Sequence, residues 1–312
     1  MTLPPLVVIA GPTATGKTTL AIEVAEAIER TGRPAEIVSA DSRQVYRGLD
    51  IGTAKASAEE RARVVHHGID LVDPDGPFSV ADFRRHALEA LERLGERGGV
   101  GILAGGTGFW IRAVARGIDT DALPSDPAAR AAIEERLADR GLDALVSELA
   151  ALAPSLAERI DARNPRRVVR ALEIAEIRGD APLPEPQGYP ASVAWLGLDL
   201  DRDEHARWIA ARARAQFDAG LVEEARSLRE RYDPALPAFS AIGYREAWSV
   251  IDGEATLEAA IAADAARNVA FAKRQRTWFR SEPEITWLDA AARPTEPAIE
   301  AALKVAPPLA RA

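Results

Sequence analysis

Leu6-Val7-Val8-Ile9-Ala10-Gly11-Pro12-Thr13-Ala14-Thr15-Gly16-Lys17-Thr18-Thr19-Leu20 decides how the rest of the chain is read. An apolar, β-branched run leads into a glycine-containing loop, and an amphipathic pattern follows Lys17. Gly11 and Gly16 with Lys17-Thr18 have the P-loop spacing, placed between a strand and a helix as that motif requires. Glycines let backbone N–H groups converge on phosphate oxygens that a side chain would block. The helix starting at Lys17 adds the positive end of its dipole. Gly11, Pro12, Thr13, Ala14, Thr15, Gly16, Lys17 and Thr18 are therefore the expected phosphate cradle. Lys17 supplies a point charge, and the Thr18 hydroxyl is the expected Mg2+ ligand. The loop alone leaves open which phosphate compound it holds.

The chain has 312 residues, 47% of them hydrophobic, enough for a core and at least one subdomain. No apolar run approaches the length of a membrane span. The first strand begins within a few residues of the N-terminus with no basic n-region, so no secretory signal is expected and the protein reads as cytoplasmic. Without cysteine, disulfides and thiolate zinc sites are excluded. The adjacent His66-His67 would face opposite sides of a strand and do not make a zinc pattern. The net charge is −9, from 48 acids against 39 bases, which argues against broad nucleic-acid binding. Two local patches run the other way. One holds Arg163, Arg166, Arg167, Arg170 and Arg178, the other Arg267, Lys273, Arg274, Arg276 and Arg280. Each reads either as a solvated helix face or as a polyanion site.

The strand, helix and loop signals alternate along the chain. Glu36–Ala40 reads as a second strand ending at Asp41, and Gly48–Lys55 as a surface loop. Ala58–Val65 reads as a short helix and Ile69–Asp73 as a further strand. Ser79 caps a helix running to about Arg97. A buried strand at 99–104 meets a second glycine turn, Gly105-Gly106-Thr107-Gly108. Residues 117–190 read as a helical insertion, closed by Pro182, Pro184, Pro186 and Pro190, with 1–116 and 191–312 forming an α/β core. The strand Val193–Leu200 returns to that core, helices follow, and Ile285–Leu288 is a closing strand. The tail from Ala290 is expected to fray. The fold class is a P-loop, parallel, doubly wound sheet flanked by helices.

In an open parallel sheet, ligands bind beyond the carboxyl ends of the strands. The P-loop, Asp41 and Thr107 should therefore share one crevice, with Asp41 either a general base or a capping residue and Thr107 either a donor or part of a tight turn. A small-molecule P-loop kinase, group transfer away from a pyrophosphate, and a nucleotide-gated switch all fit these residues.

Other stretches narrow the choice. Asp41-Ser-Arg-Gln-Val-Tyr-Arg-Gly-Leu-Asp-Ile-Gly-Thr-Ala-Lys55, Phe78-Ser-Val-Ala-Asp-Phe83, Gly105-Gly-Thr-Gly108 and Arg167-Val-Val-Arg-Ala-Leu-Glu173 occur in that order. They are followed by Gly220-Leu221 with Glu223-Glu224, by Ile242-Gly-Tyr244, and by Ala272-Lys-Arg-Gln-Arg-Thr-Trp-Phe279. With these motifs the chain resembles the tRNA dimethylallyltransferases, also called tRNA isopentenyltransferases. The resemblance implies transfer of a dimethylallyl group from dimethylallyl diphosphate, with Mg2+, to N6 of adenosine 37 in the anticodon stem-loop of tRNAs that read codons beginning with U. It implies Asp41, Thr107 and Arg212 as catalytic and the P-loop as the diphosphate cradle. It places Asp41, Ser42, Arg43, Gln44 and Thr107 on the target base and its neighbours. Arg130, the stretch Arg166-Arg167-Val168-Val169-Arg170 and the stretch Ile242-Gly243-Tyr244-Arg245 are placed on the tRNA. So is the run Lys273-Arg274-Gln275-Arg276-Thr277-Trp278-Phe279-Arg280, with the insertion lying across the anticodon stem. Trp278 and Phe279 read either as stacking platforms or as core residues. A cytoplasmic monomer is expected. A prenyltransferase acting on free adenine nucleotides and a small-molecule kinase are the alternatives.

The chain departs from the family pattern at three places. Arg166 stands where the family has Gln, Trp208-Ile209 where it has Arg-Ile, and Phe109-Trp110 where it has Leu-Tyr. The last pair is expected to alter the channel wall. No cysteine is present for a thiolate zinc finger.

Overall fold

A computed structural model describes residues 2–307. The chain divides into two compact units, Ile118–Gln187 and the segments flanking it. The first half of the larger unit winds β1 (Leu6–Ala10), α1 (Lys17–Glu29), β2 (Ala35–Ala40), α2 (Ala58–Arg63), β3 (His66–His67), α3 (Val80–Glu96), β4 (Val100–Gly105) and α4 (Gly108–Ala115). The smaller unit holds α5 (Pro127–Arg140), α6 (Leu142–Leu152), α7 (Pro154–Arg159) and α8 (Pro165–Arg178) around Ile133, Leu145, Leu149, Val168 and Leu172. The larger unit resumes with β5 (Val193–Asp199), α9 (Arg202–Asp218), α10 (Leu221–Arg229), α11 (Tyr244–Ile251), α12 (Leu257–Arg280), β6 (Thr286–Asp289) and α13 (Thr295–Val305).

The six strands form one parallel sheet in the order β3-β2-β4-β1-β5-β6. Every residue of β1, β2 and β4 is buried, as a sheet covered on both faces demands. Side chains alternate between those faces with period two. Leu6, Val8 and Ala10 join the core with α3, α4 and α9–α12, while Val7 and Ile9 join the core with α1 and α13. The register aligns the carboxyl ends of the three central strands: Ala10 and Ala40 both sit opposite Gly105. Gly105 must lack a side chain there, because a Cβ would meet the Ala40 carbonyl oxygen at 2.2 Å. This alignment puts the P-loop, Asp41 and the second glycine turn side by side.

The expected cap at Ser79 forms, and a second capping box stands at Ser57. Ser79 accepts from the Asp82 amide while Asp82 reaches back, and Ser57 does the same with Glu60. Among the described residues no helix is long and apolar enough to cross a membrane.

Two expectations are corrected. The third strand is His66–His67, not Ile69–Asp73. Asp70 adopts φ +56°, which breaks the extended run, and Val72 makes only an isolated bridge with Tyr46. The tail does not fray over 295–305. It forms α13, whose Ala298 and Ala302 are fully buried and whose Thr295 hydroxyl bonds to Glu23 on α1. Small residues every four positions let two helices approach closely, a signal that an Ala/Pro-rich composition conceals. Residues 308–312 of that tail lie outside the described residues.

Candidate active site

The P-loop leaves β1 at Gly11, where φ is +148° and a Cβ would meet the Leu198 carbonyl oxygen at 2.6 Å. No other residue fits so close to β5. Ala14 also takes a positive φ, +60°, at the crest of the loop. Inside the loop the Thr15 hydroxyl donates to the Pro12 carbonyl at 2.9 Å, and Lys17 Nζ donates to the same oxygen at 2.6 Å.

Thr13 is gripped at all three of its polar groups. Its N–H donates to Gln275 Oε1 (2.9 Å), its carbonyl accepts from His205 Nε2 (2.8 Å), and its hydroxyl oxygen accepts from an Arg212 guanidinium nitrogen (2.8 Å). His205 and Arg212 come from α9 and Gln275 from α12, so two helices far along the chain set the loop's position. Gln275 also donates to the Gly106 carbonyl at 2.9 Å and so ties both glycine turns together.

Asp41 follows β2 directly. Its Oδ1 accepts from the Arg43 amide at 2.8 Å, an Asx turn that fixes the carboxylate. The side chain thus shapes a turn, not a helix start, and still lines the cavity. Thr107 lies beyond β4 and is stitched to the end of β2. Its amide donates to the Ala40 carbonyl and its hydroxyl oxygen accepts from the Ser42 amide, both at 3.1 Å. Its hydroxyl proton remains to be donated.

The P-loop, Asp41, Arg212 and Gln275 line a cavity of about 570 Å3, and the second glycine turn reaches it through Gly105 and Gly106, with Thr107 just beyond its lining. The loop from Thr13 to Thr18 forms one wall, Asp41 and Gln44 another, and Trp208, Arg212, Phe271 and Gln275 a third. Gln44 holds the adjoining turn. Its Oε1 accepts from Ser39, and its Nε2 donates to the Thr53 and Ala54 carbonyls. Burial lowers the Lys17 pKa to about 7, helped by the nearby Arg212 cation and opposed by Asp41. Burial also lowers the Arg212 pKa, against the attraction of Asp41 and Asp264. Asp264, almost fully buried on α12, is pushed up to about 6 by the same desolvation. The site is thus a desolvated pocket with Lys17, Lys55 and Arg212 among its lining residues and two carboxylates, Asp41 and Glu60, suited to an anion that carries several oxygens.

Among the described residues no group of three or more His, Cys, Asp and Glu is placed to hold a metal. Thr18 and Asp41 are oxygen donors on one cavity. That sparse, hard donor set fits Mg2+ held mainly by phosphate oxygens.

The expected tRNA-facing residues differ in their exposure. Ser42, Arg43 and Ile242 are half-buried, and Arg43 bonds to the Pro237 carbonyl. Arg166, Arg167, Arg245, Lys273, Arg274, Thr277 and Arg280 are exposed. Arg130 and Arg170 are both paired with Glu173, which is fully buried. Side-chain contact with tRNA is corrected for Val168, Val169, Tyr244 and Phe279, all buried. The two valines face the helical core, and the Tyr244 hydroxyl donates to Glu224 at 2.7 Å. Gly243 is buried as well. Gln275 clamps the P-loop, and Arg276 is paired with Asp199 at 2.7 Å. Trp278 packs against Gly108 beneath the Arg112 guanidinium, 4.9 Å from the ring centre. Trp110 is no channel wall: it stacks on Phe83 in the core at 4.3 Å, and only Phe109 stays exposed.

Sequence reasoning missed His205, Trp208, Phe271 and the clamp role of Gln275. One signal was available for His205: it lies seven residues before Arg212, on the same helix face.

The chain matches known proteins over most of its length. A family model described as IPP transferase matches residues 44–282. The tRNA dimethylallyltransferase of Thermus thermophilus is 45% identical over 277 residues, 88% of this chain and 89% of that protein. The tRNA dimethylallyltransferase of Bifidobacterium animalis subsp. lactis is 44% identical over 286 residues, 90% of this chain and 81% of that protein. The crystal structure of the tRNA isopentenylpyrophosphate transferase from Bacillus halodurans matches with a TM-score of 0.68 at 36% identity, over 96% of this chain and 98% of that one. With a cradle, a carboxylate and two helices in the arrangement described and matches over most of its length, the chain belongs to the IPP transferase family, the family of the tRNA dimethylallyltransferases.

Proposed function

We propose that the protein transfers the dimethylallyl group of dimethylallyl diphosphate to N6 of adenosine 37 in tRNA, acting as a cytoplasmic monomer on the anticodon stem-loop. One observation carries the reading: the register of β2, β4 and β1 brings a phosphate cradle and the Asp41 carboxylate to one cavity. A kinase acting on ATP would need the cradle too. The identities above, over nine-tenths of the chain, favour the prenyl donor and tRNA over the alternatives.

The chemistry follows from the residues. The adenine amine attacks C1 of the dimethylallyl group, the C1–O bond breaks, and diphosphate leaves with the electron pair. The amine becomes cationic as its N–C bond forms and gives its proton to Asp41. Lys17, Arg212 and the loop N–H groups meet the negative charge that gathers on the departing diphosphate. The Thr107 hydroxyl donates toward the oxygen where the bond breaks. Mg2+ held by Thr18 and the phosphate oxygens would neutralise further charge on the leaving group. A base stacked in the anticodon loop must be extruded to reach Asp41.

The test incubates the protein with radiolabelled dimethylallyl diphosphate and Mg2+, offering unmodified tRNA, AMP or, with γ-labelled ATP, a phosphoryl acceptor. Label on tRNA alone is expected. Label on AMP but not tRNA, or phosphoryl transfer, overturns the reading. Asp41→Asn keeps an acceptor for the Arg43 amide yet removes the base, so kcat should fall by about 10²–10⁴-fold. Near-normal turnover in that variant removes Asp41 from the role.

A further inference from the structure

We infer that His205 is a positioning residue for the phosphate-binding loop, a neutral imidazole whose tautomer is set from both sides and which holds Thr13 in place. His205 is 3% exposed and sits on α9 between the P-loop and α12. The Thr13 carbonyl only accepts, so His205 Nε2, 2.8 Å away, must carry the proton. The Arg276 guanidinium only donates, so His205 Nδ1, 3.2 Å away, must be bare. Arg276 is itself fixed by Asp199 Oδ1 at 2.7 Å and by the Leu200 carbonyl at 3.0 Å. A relay of directed bonds therefore runs from the end of β5 through Arg276 and His205 to the loop.

The consequence lies at Thr13. Its hydroxyl oxygen receives the guanidinium that the proposed reaction uses on the diphosphate. If the Thr13 carbonyl loses its donor, the residue can rotate and carry Arg212 with it. Protonating the ring would destroy the Nδ1 acceptor and set a third cation between Arg276 of α12 and Lys17 of the loop, opposed by Asp199 of β5. The groove on the ring's other side adds Arg202 from α9 and Lys273 and Arg280 from α12. Burial, with the Arg276 and Lys17 cations, holds the His205 pKa below that of an ordinary histidine, against the bond to the Thr13 carbonyl and the Asp199 carboxylate. The inference rests on the diphosphate reading of the cradle for its functional meaning, but not for its tautomer.

Two measurements test it. Long-range 1H–15N spectra of the wild-type protein, which has four histidines, are assigned with His205→Gln. His205 should show the Nε2–H tautomer and stay neutral to lower pH than an exposed histidine. An Nδ1–H tautomer, or a cationic ring at neutral pH, overturns the inference whatever any variant does. Binding of inorganic pyrophosphate and steady-state kinetics are then compared. His205→Leu should weaken pyrophosphate binding and raise the KM for dimethylallyl diphosphate about tenfold, with kcat and the KM for tRNA within about threefold. His205→Gln, whose amide can both donate to Thr13 and accept from Arg276, should recover most of that loss. Wild-type pyrophosphate affinity in His205→Leu, or equal impairment of the two folded variants, overturns the positioning role. A wild-type protein that binds pyrophosphate but prenylates nothing sinks the prenyl-transfer reading instead, and the variants are still judged on pyrophosphate.

Discussion

Lys17 shows at the residue scale how the cradle is matched to an anion. Its ammonium rests on the Pro12 carbonyl, and burial with Arg212 nearby brings its pKa to about 7. A diphosphate would place anionic oxygens against it and raise that value. The sign follows directly. Well below pH 7 the lysine is charged with or without ligand, so no proton moves; above it, the free lysine is largely neutral and must take up a proton on binding. Calorimetric titration with pyrophosphate near about pH 8, repeated in buffers of different ionisation heat, should report uptake approaching one proton, vanishing in Lys17→Met. Affinity should weaken as pH rises through the same range. Release of protons at that pH, or none, contradicts this account of Lys17.

At the scale of the element, α12 is more than the basic strip its sequence suggests. Its exposed side carries Lys273, Arg274 and Thr277, while Gln275 on its buried side reaches into the sheet's carboxyl edge. One amide bridges the loops that follow β1 and β4, so this helix sets the spacing of the two turns. Gln275→Ala removes both bonds and should lower stability by about 1–3 kcal/mol, read from urea unfolding. Gln275→Glu keeps an acceptor for the Thr13 amide but places a carboxylate against the Gly106 carbonyl and beside the anion cavity. Pyrophosphate affinity should then fall by about tenfold or more. Unchanged affinity in that variant removes Gln275 from the cavity wall.

For the whole molecule, the distribution of charge outweighs its sum. A net charge of −9 coexists with exposed Lys273, Arg274, Arg280 and Arg245, and with exposed Arg166 and Arg167 on α8. A polyanion would be attracted to each of these local patches and repelled elsewhere. If three or four phosphates are neutralised, tRNA affinity should fall roughly 20- to 150-fold between about 50 and 200 mM salt. In the double variant Lys273→Gln, Arg274→Gln the slope of log affinity against log salt should drop by about 1 to 2 units, measured by filter binding. A slope equal to that of the unaltered protein excludes this face of α12 from the RNA contact.

Much of this protein could be read along the chain, because its chemistry is carried by local patterns. Leu6–Ala10 with the glycine turn and Lys17-Thr18 announces a strand, a cradle and a helix in one unbroken stretch, and Asp41 and Gly105–Gly108 each follow a recognisable buried strand. Local patterns failed where long-range packing decides the outcome. A two-residue strand at His66–His67 exists only because β2 offers it an edge, and α13 holds only because α1 accepts its alanines. Whether Arg276 faces RNA or a carboxylate, and whether Tyr244 and Phe279 are surface or core, depends on neighbours dozens of residues away. The identity of the cradle was thus set by sequence, since backbone geometry at glycines and the helix start is local. Its grip was decided only in three dimensions: Thr13 meets His205, Arg212 and Gln275 across roughly two hundred residues or more of chain, and only the folded sheet brings those helices to the loop.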